Sequence, residues 1–306
     1  MTRLVVLVLA HGDQPHLSNQ IAQRQTWALV LPEGVEVFWV YDDIGASKVT
    51  CDRDRNVFVP VSREEAAAPK YGASVEKTGR AMGWAVDSFQ PNYLLRTNTS
   101  SYFSLDLLLA ELTQLPKSGV YRGVIGHGNL ARGAAVEFVS GAAMLVTPDI
   151  ADVISPSSGT PFCGELEDLT IGAILGRKGV KPISASRIDM TDGAPLSAGA
   201  HVRLKSYTDD ARTADRMRKV HEVFSCRRTD ERADLLRRLD VAEVRRVSME
   251  SLKQAVRTPN RATVRQALSR ISFGYWYVAE RRRRALSLAA RSESFEPLFP
   301  VSEGHA

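Results

Sequence analysis

The run Leu4–Ala10, Leu-Val-Val-Leu-Val-Leu-Ala, contains no polar residue. A strand of that composition has to be covered on both faces, and sheets covered on both faces are typically the parallel sheets of α/β proteins. The chain that follows alternates in kind. Ser18–Leu29 reads as a helix, Val35–Tyr41 as a second strand ending in Asp42-Asp43, and Val57–Val61 as a third strand. Helical spacing then runs from about Val75 to Phe89, and a short strand Tyr93–Arg96 leads into the polar group Thr97-Asn98-Thr99-Ser100-Ser101. Leu105–Leu115 reads as a helix with Ser104 as its N-cap, Val136–Val146 as a buried strand, and Asp149 as the residue preceding another helix. This order predicts an α/β layer architecture over residues 1–180. From about residue 206 the pattern turns helical and basic, with a break at Thr258-Pro259-Asn260.

Composition narrows the class. With 306 residues, 44% hydrophobic and 25% charged, the chain can build one domain with an appendage. No apolar run approaches the roughly 20 residues needed to cross a bilayer, and the N-terminal apolar run reads as a strand entering the polar loop at His11-Gly12-Asp13 rather than as a signal peptide. Cys51, Cys163 and Cys226 are odd in number and widely spaced, which argues against a disulfide or zinc framework and for a reducing, cytoplasmic setting. The net charge of +5 is skewed toward the C-terminal third, where Arg203, Lys205, Arg237, Arg238 and the run Arg281–Arg284 are found. That skew suits a diphosphate, a phospholipid surface or nucleic acid, or it reflects solvated helix faces. No nucleic-acid module and no phosphate loop of the Gly-Lys-Ser/Thr type is present, so neither nucleic-acid binding nor phosphate-loop chemistry is expected.

Open α/β sheets bind ligands at the carboxyl ends of their strands, so the loops after residues 10, 41 and 96 are the places to look. Five collinear segments there and beyond carry a resemblance. They are Arg24-Gln25-Thr26-Trp27; Tyr71-Gly72 through Glu76-Lys77-Thr78 to Trp84; Tyr93–Thr97 continuing into Tyr102-Phe103-Ser104-Leu105; Val139–Leu145; and Gly164-Glu165-Leu166-Glu167-Asp168-Leu169-Thr170-Ile171-Gly172. Over about residues 1–205 the chain resembles the beta-1,3-galactosyltransferase and Fringe superfamily of inverting glycosyltransferases. The resemblance implies a GT-A fold, with a mixed, mostly parallel central sheet flanked by helices; the helical C-terminal appendage is read from the pattern after residue 206. The implied division is a catalytic domain over 1–205 and a helical, basic region over 206–306. It also implies a UDP-sugar donor, galactose-type as a first guess, and transfer to a hydroxyl of a glycan or lipid-linked acceptor; assembly of a bacterial-type surface polysaccharide or glycolipid is a guess from the architecture without a secretion signal.

One departure from the family is chemical. Where the family carries three aspartates, this chain has Asn98, Thr99 and Ser100. Magnesium and manganese favour hard anionic oxygens, so no divalent metal is expected. The departing diphosphate still needs positive charge beside it. His201-Val202-Arg203-Leu204-Lys205 reads as a strand whose period of two places His201, Arg203 and Lys205 on one face. These three are the expected diphosphate-binding group, unless they form the wet face of an edge strand. Asn98, Thr99 and Ser100 are then free to bond sugar or ribose hydroxyls, or to form a simple turn.

By similarity, Asp168 is the general base and Glu167 the next candidate; a carboxylate at a helix start also stabilises the helix dipole. The expected donor site is Ala10, His11 and Gly12 with Arg24 reaching toward them, Asp42 and Asp43 on the uracil or ribose unless they form a solvated turn, and Lys77 and Arg96 nearby. Lys77 has an alternative on the helix surface, and Trp27 and Trp84 fit the core better than a sugar platform. Ile271–Tyr277 followed by Arg281–Arg284 suits an interfacial helix at the inner membrane face, a packing element or an oligomer contact. The competing reading of the whole chain is a catalytically inactive nucleotide-sugar or glycan-binding module.

Overall fold

The computed structural model describes residues 2–14, 16–63, 72–130, 133–155, 166–190, 200–204 and 211–225. Lys205, Tyr71, Gly164, Glu165, Cys163, Cys226 and the aromatic and basic segment 271–284 lie outside the described residues.

The central sheet has eight strands. In chain order they are β1 (Leu4–Leu9), β2 (Val35–Ile44), β3 (Thr50–Cys51), β4 (Asn56–Val61), β5 (Tyr93–Asn98), β7 (Tyr121–Asn129), β8 (Ala135–Val146) and β9 (Ile183–Ser184), and across the sheet β3-β4-β2-β1-β5-β8-β7-β9. Strands β4, β2, β1 and β5 are mutually parallel, and β8 runs antiparallel to both β5 and β7. A second sheet of three strands, in the order β10 (Ile188–Asp189), β11 (His201–Arg203) and β6 (Ser101–Phe103), stands apart from the first. The architecture is therefore the expected mixed, mostly parallel sheet with flanking helices.

The apolar run dictates how the layers form. Alternate residues of a strand face opposite sides, and β1 is buried along its whole length. Val5, Leu7 and Leu9, with Phe38 and Val40 of β2, share one core with helices α2 (Gly72–Phe89), α4 (Pro148–Ile154) and α5 (Glu167–Arg177). On the opposite face, Trp39 donates to Gln23 Oε1 of helix α1 (His16–Gln25) at 3.2 Å. Phe38, Trp84 and Phe89 meet edge-on or tilted at centroid distances of 5.1–5.4 Å, each pair adding about 0.5–1.5 kcal/mol beyond its buried area. Trp27 packs edge-on to Phe103 at 5.4 Å, so both tryptophans belong to the core. Helix α6 (Ala211–Ser225) rests on α1 and on β6, where Phe224 stacks against Tyr102 at 5.3 Å. Among the described residues no helix is long and apolar enough to cross a membrane.

Several expectations shift. Strand β2 continues to Ile44, because Asp42 and Asp43 pair in register with Val59 and Pro60 of β4. The first helix occupies His16–Gln25 rather than Ser18–Leu29. Helix α3 (Leu105–Leu112) has Ser104 in the N-cap position without a side-chain capping bond, and Asp149 lies inside the first turn of α4, accepting from Gly119 N–H at 2.8 Å. Strand β7 was not anticipated at all.

β7 and β8 form a long hairpin. The last β8–β5 pair is Ala143 with Thr97, so the first half of β8 projects past the carboxyl end of β5. The β7–β8 ladder breaks between the pairs Gly123–Met144 and Ile125–Val139, which leaves Ser140–Ala143 opposite Val124 alone. Such a bulge frees backbone groups from the ladder.

Candidate functional site

Two groups of polar residues gather at the carboxyl edge. The first stands over β1 and β2. Lys77, its side chain 1% exposed, reaches from α2 to the end of the sheet, with Nζ 2.6 Å from Asp42 Oδ1 and 3.5 Å from the carbonyl of Ala10. Its expected surface alternative is therefore set aside. A buried ammonium needs such partners, because desolvating it unpaired costs several kcal/mol. Asp42 stays 31% exposed, so a carboxylate anchored on one side remains open to solvent on the other. His11 and Gly12 are exposed beside it, and Gln20 Nε2 donates to the His11 carbonyl at 2.8 Å. The His11 and His16 rings lie 5.1 Å apart, and His16 Nδ1 is 3.0 Å from Thr99 Oγ1, so the first-strand loop touches the Asn98–Ser100 turn. Partial burial, then Lys77 and His16, lower the His11 pKa.

Arg24 has a different part from the expected one. Its guanidinium lies 3.6 Å over the Trp39 ring and donates to the Asp54 carbonyl at 2.6 Å and to Asn56 Oδ1 at 2.7 Å. It thus clamps the β3–β4 connection instead of reaching the loop at residues 10–12. Cation–π contact and two donated bonds hold it there. Asp43, next to Asp42, pairs within the β2–β4 ladder.

The second group converges on the bulge. Ala142 O accepts from Thr97 Oγ1 at 2.6 Å and from Ser101 Oγ at 2.9 Å; Gly141 N–H donates to Asp168 Oδ2 at 3.3 Å; Ser140 Oγ accepts from Arg187 Nη1 at 3.0 Å. Three neighbouring residues thereby tie together β5, β6, α5 and the segment entering β10. Asp168 is half-buried in the first turn of α5, where its Oδ1 also accepts from Leu169 N–H at 3.1 Å.

Beneath this hub lies a buried ion pair. Arg96 Nε donates to Glu167 Oε1 at 2.9 Å, its Nη2 bonds Oε2, and Thr78 Oγ1 donates to Oε1 at 2.6 Å. Both side chains are 8% exposed. A Cβ added at Gly141 would come within 2.7 Å of Arg96 Nη1, so glycine there leaves room for the guanidinium. Glu167, buried and paired through both oxygens with Arg96, has no open face for an attacking hydroxyl, unlike the half-buried Asp168, and Arg96 is bonded to it in this structure.

The turn expected to replace the aspartates is internally bonded. Asn98 Oδ1 accepts from Ser100 N–H, Ser100 Oγ and Ser101 Oγ at 2.9–3.2 Å, and the Thr99 hydroxyl is paired with His16. These neutral groups do not fit a divalent ion. Among the described residues no three histidine, cysteine or acidic side chains come together as a metal-binding group.

On the second sheet, His201 Nε2 lies 3.2 Å from Ser101 Oγ and the ring stacks on Phe103 at 4.6 Å. Burial, with the guanidiniums of Arg187 and Arg203, pushes its pKa down to about 3. His201 is therefore neutral near pH 7, a correction to its expected share in charge balance. The consequence for stability has a definite sign. The unfolded histidine titrates near 6.5, so between about pH 6.5 and 3 only the unfolded chain takes up the proton. Stability on this account is unchanged above that window and falls as the pH drops through it, by about 1.4 kcal/mol per unit. His201→Gln is expected to flatten the acid limb of a plot of Tm against pH; an unaltered limb would assign it to other groups.

Sequence reasoning missed Arg187, Asp189, Ser140 and His16. The polar–apolar–polar spacing of Arg187-Ile188-Asp189 was the one available signal, and it reads equally as a wet edge. A cavity of about 270 Å³ on the hairpin, lined by His127, Gly128, Asn129, Ala135, Val136 and Glu137, includes none of the expected residues.

No protein-family model matches the chain, and no curated protein matches it. Among solved structures it is similar to the crystal structure of a glycosyltransferase involved in the glycosylation of the major capsid of PBCV-1, with 11% identity and a TM-score of 0.45, covering 71% of this chain and 98% of that one.

Proposed function

We propose that the chain is an inverting, metal-independent glycosyltransferase of GT-A type, Fringe-like in its motifs, that uses a UDP-sugar donor and a glycan or lipid-linked acceptor. The observation that carries this reading is the meeting of unlike groups at one sheet edge. A carboxylate, Asp168, is hung on the freed Gly141 amide, while a guanidinium is bonded to the adjacent Ser140 and a second solvent-open carboxylate, Asp42, is fixed by Lys77. Displacement at an anomeric carbon needs a base on one side and a charge-compensated leaving group on the other. In this reading the acceptor oxygen forms the new bond to the sugar carbon and gives its proton to Asp168. The old carbon–oxygen bond breaks with its electron pair leaving on the nucleoside diphosphate, whose charge falls to Arg203 and Lys205. Asp42 suits ribose or base hydrogen-bond donors, and Asn98, Thr99 and Ser100 line the same edge.

The test is transfer or hydrolysis of UDP-sugars by the full chain in excess chelator. Turnover is expected to be within about twofold of that in manganese, because no ion takes part, and UDP is expected to raise Tm. Turnover that requires manganese would remove metal independence from the reading. A protein that neither hydrolyses any UDP-sugar nor is stabilised by UDP would remove the reading itself.

A further inference from the structure

Arg187 and Arg203 stand against the same carboxylate, Asp189. Arg187 donates from Nε and Nη2 to Asp189 Oδ2 at 3.2 and 3.0 Å, and from Nη1 to Ser140 Oγ at 3.0 Å, with its side chain 8% exposed. Arg203, on the neighbouring strand, comes no nearer than 4.0 Å to the same carboxylate, at Oδ1. Its side chain is 23% exposed, yet its Nε is fully buried and has no hydrogen-bond partner among the described residues. Among the described residues the two guanidiniums thus share a single carboxylate, and the nearby His201 carries no charge. Two positive charges among these residues therefore face one carboxylate, itself 48% exposed. Leaving a buried donor unbonded is costly, and proteins commonly tolerate it where a ligand completes the set.

We propose that Arg187 and Arg203 form one anion cradle for the diphosphate, with Asp189 as the internal counter-ion that bonds Arg187 and faces Arg203. The proposal rests on the nucleotide-sugar reading above and deepens it. Guanidinium forks match paired phosphate oxygens, and here the Arg187 fork is pre-aligned by its bonds to Asp189 and Ser140 rather than by an ion, with Arg203 standing 4.0 Å from the same carboxylate. Ser140 links the cradle to the hub, one residue from the amide that holds Asp168. Leaving group and base are therefore referenced to the same stretch of β8.

The test is isothermal titration calorimetry of the full chain in chelator with inorganic pyrophosphate, UDP and uridine. Arg187→Gln and Arg203→Gln are each expected to weaken pyrophosphate and UDP at least roughly tenfold, the loss of a charge-assisted bond, and to leave uridine unchanged. Asp189→Asn, which removes a competitor for the same guanidiniums, is expected to tighten pyrophosphate; this variant decides the matter should the arginine variants fail to fold. Wild-type affinity in Arg187→Gln, or no tightening in Asp189→Asn, would overturn the cradle while UDP binding by the wild type left the broader reading standing. Pyrophosphate binding that follows these variants without any preference for UDP would keep the cradle and sink the nucleotide-sugar reading.

Discussion

Asp168→Asn is expected to lower turnover by about a thousandfold while leaving the affinity for UDP within about twofold of wild type. The substitution keeps the size of the side chain and one of its two oxygens, and therefore one of the two bonds that fix Asp168, from Gly141 N–H to Oδ2 and from Leu169 N–H to Oδ1. What it removes is the ability to take a proton from an attacking hydroxyl. A carboxylate in the first turn of a helix has a second role, worth about 0.3–1 kcal/mol against the helix dipole, and asparagine forfeits that too. The two roles separate in the readout. Loss of basicity shows in kcat and erases the acidic limb of the pH–rate profile; loss of a dipole interaction shows only as a small drop in Tm. A variant with near-normal kcat and a lowered Tm would make Asp168 a helix-end residue and leave the proposed mechanism without a base.

Arg96→Leu is expected to destabilise the fold by about 3–5 kcal/mol, the cost of leaving one member of a buried pair without its partner. Glu167 would keep only the Thr78 hydroxyl among its three donated bonds. For a domain of this size that amounts to a fall in Tm of roughly 10 °C. The double variant Arg96→Leu with Glu167→Leu should recover most of the loss, since an apolar pair of similar volume needs no charge compensation. Recovery of stability together with retained UDP binding would assign both residues to the scaffold. If Arg96→Leu melts like the wild type but fails to bind UDP, Arg96 belongs to the donor site after all.

The fold was legible where a local pattern and its tertiary setting agree. Leu4–Leu9 could only be a strand buried on both faces, and Val35, the Val57–Val61 run and the helix to Phe89 follow from periods of two and of 3.6. Strand β7 was not legible, because Gly123, Gly126 and Gly128 dilute its apolar pattern. Those glycines answer to neighbours far along the chain. A Cβ at Gly123 would meet Val139 Cγ1 at 2.3 Å, and one at Gly126 the Phe138 ring at 2.5 Å. The site divides the same way. Asp168 and Lys77 were visible through motifs, although the partner that buries Lys77 comes from another strand. Arg187 was invisible because its meaning arises from a three-stranded sheet whose members lie on both sides of the hairpin in the chain. His201 was visible, but its charge was not: composition counts a basic residue, while burial beside two guanidiniums decides its protonation.

The bulge in β8 turns strand length into a chemical variable. Ser140, Gly141 and Ala142 each present a different atom to a different element, and a shift by one residue inverts the facing of every side chain on a strand. Inserting or deleting one residue between the hairpin tip and Ala143 would therefore hand the aspartate's amide and the arginine's hydroxyl to the wrong neighbours, even if the hairpin still closed. Spacing along this strand constrains the candidate site as tightly as the identity of any acid or base around it.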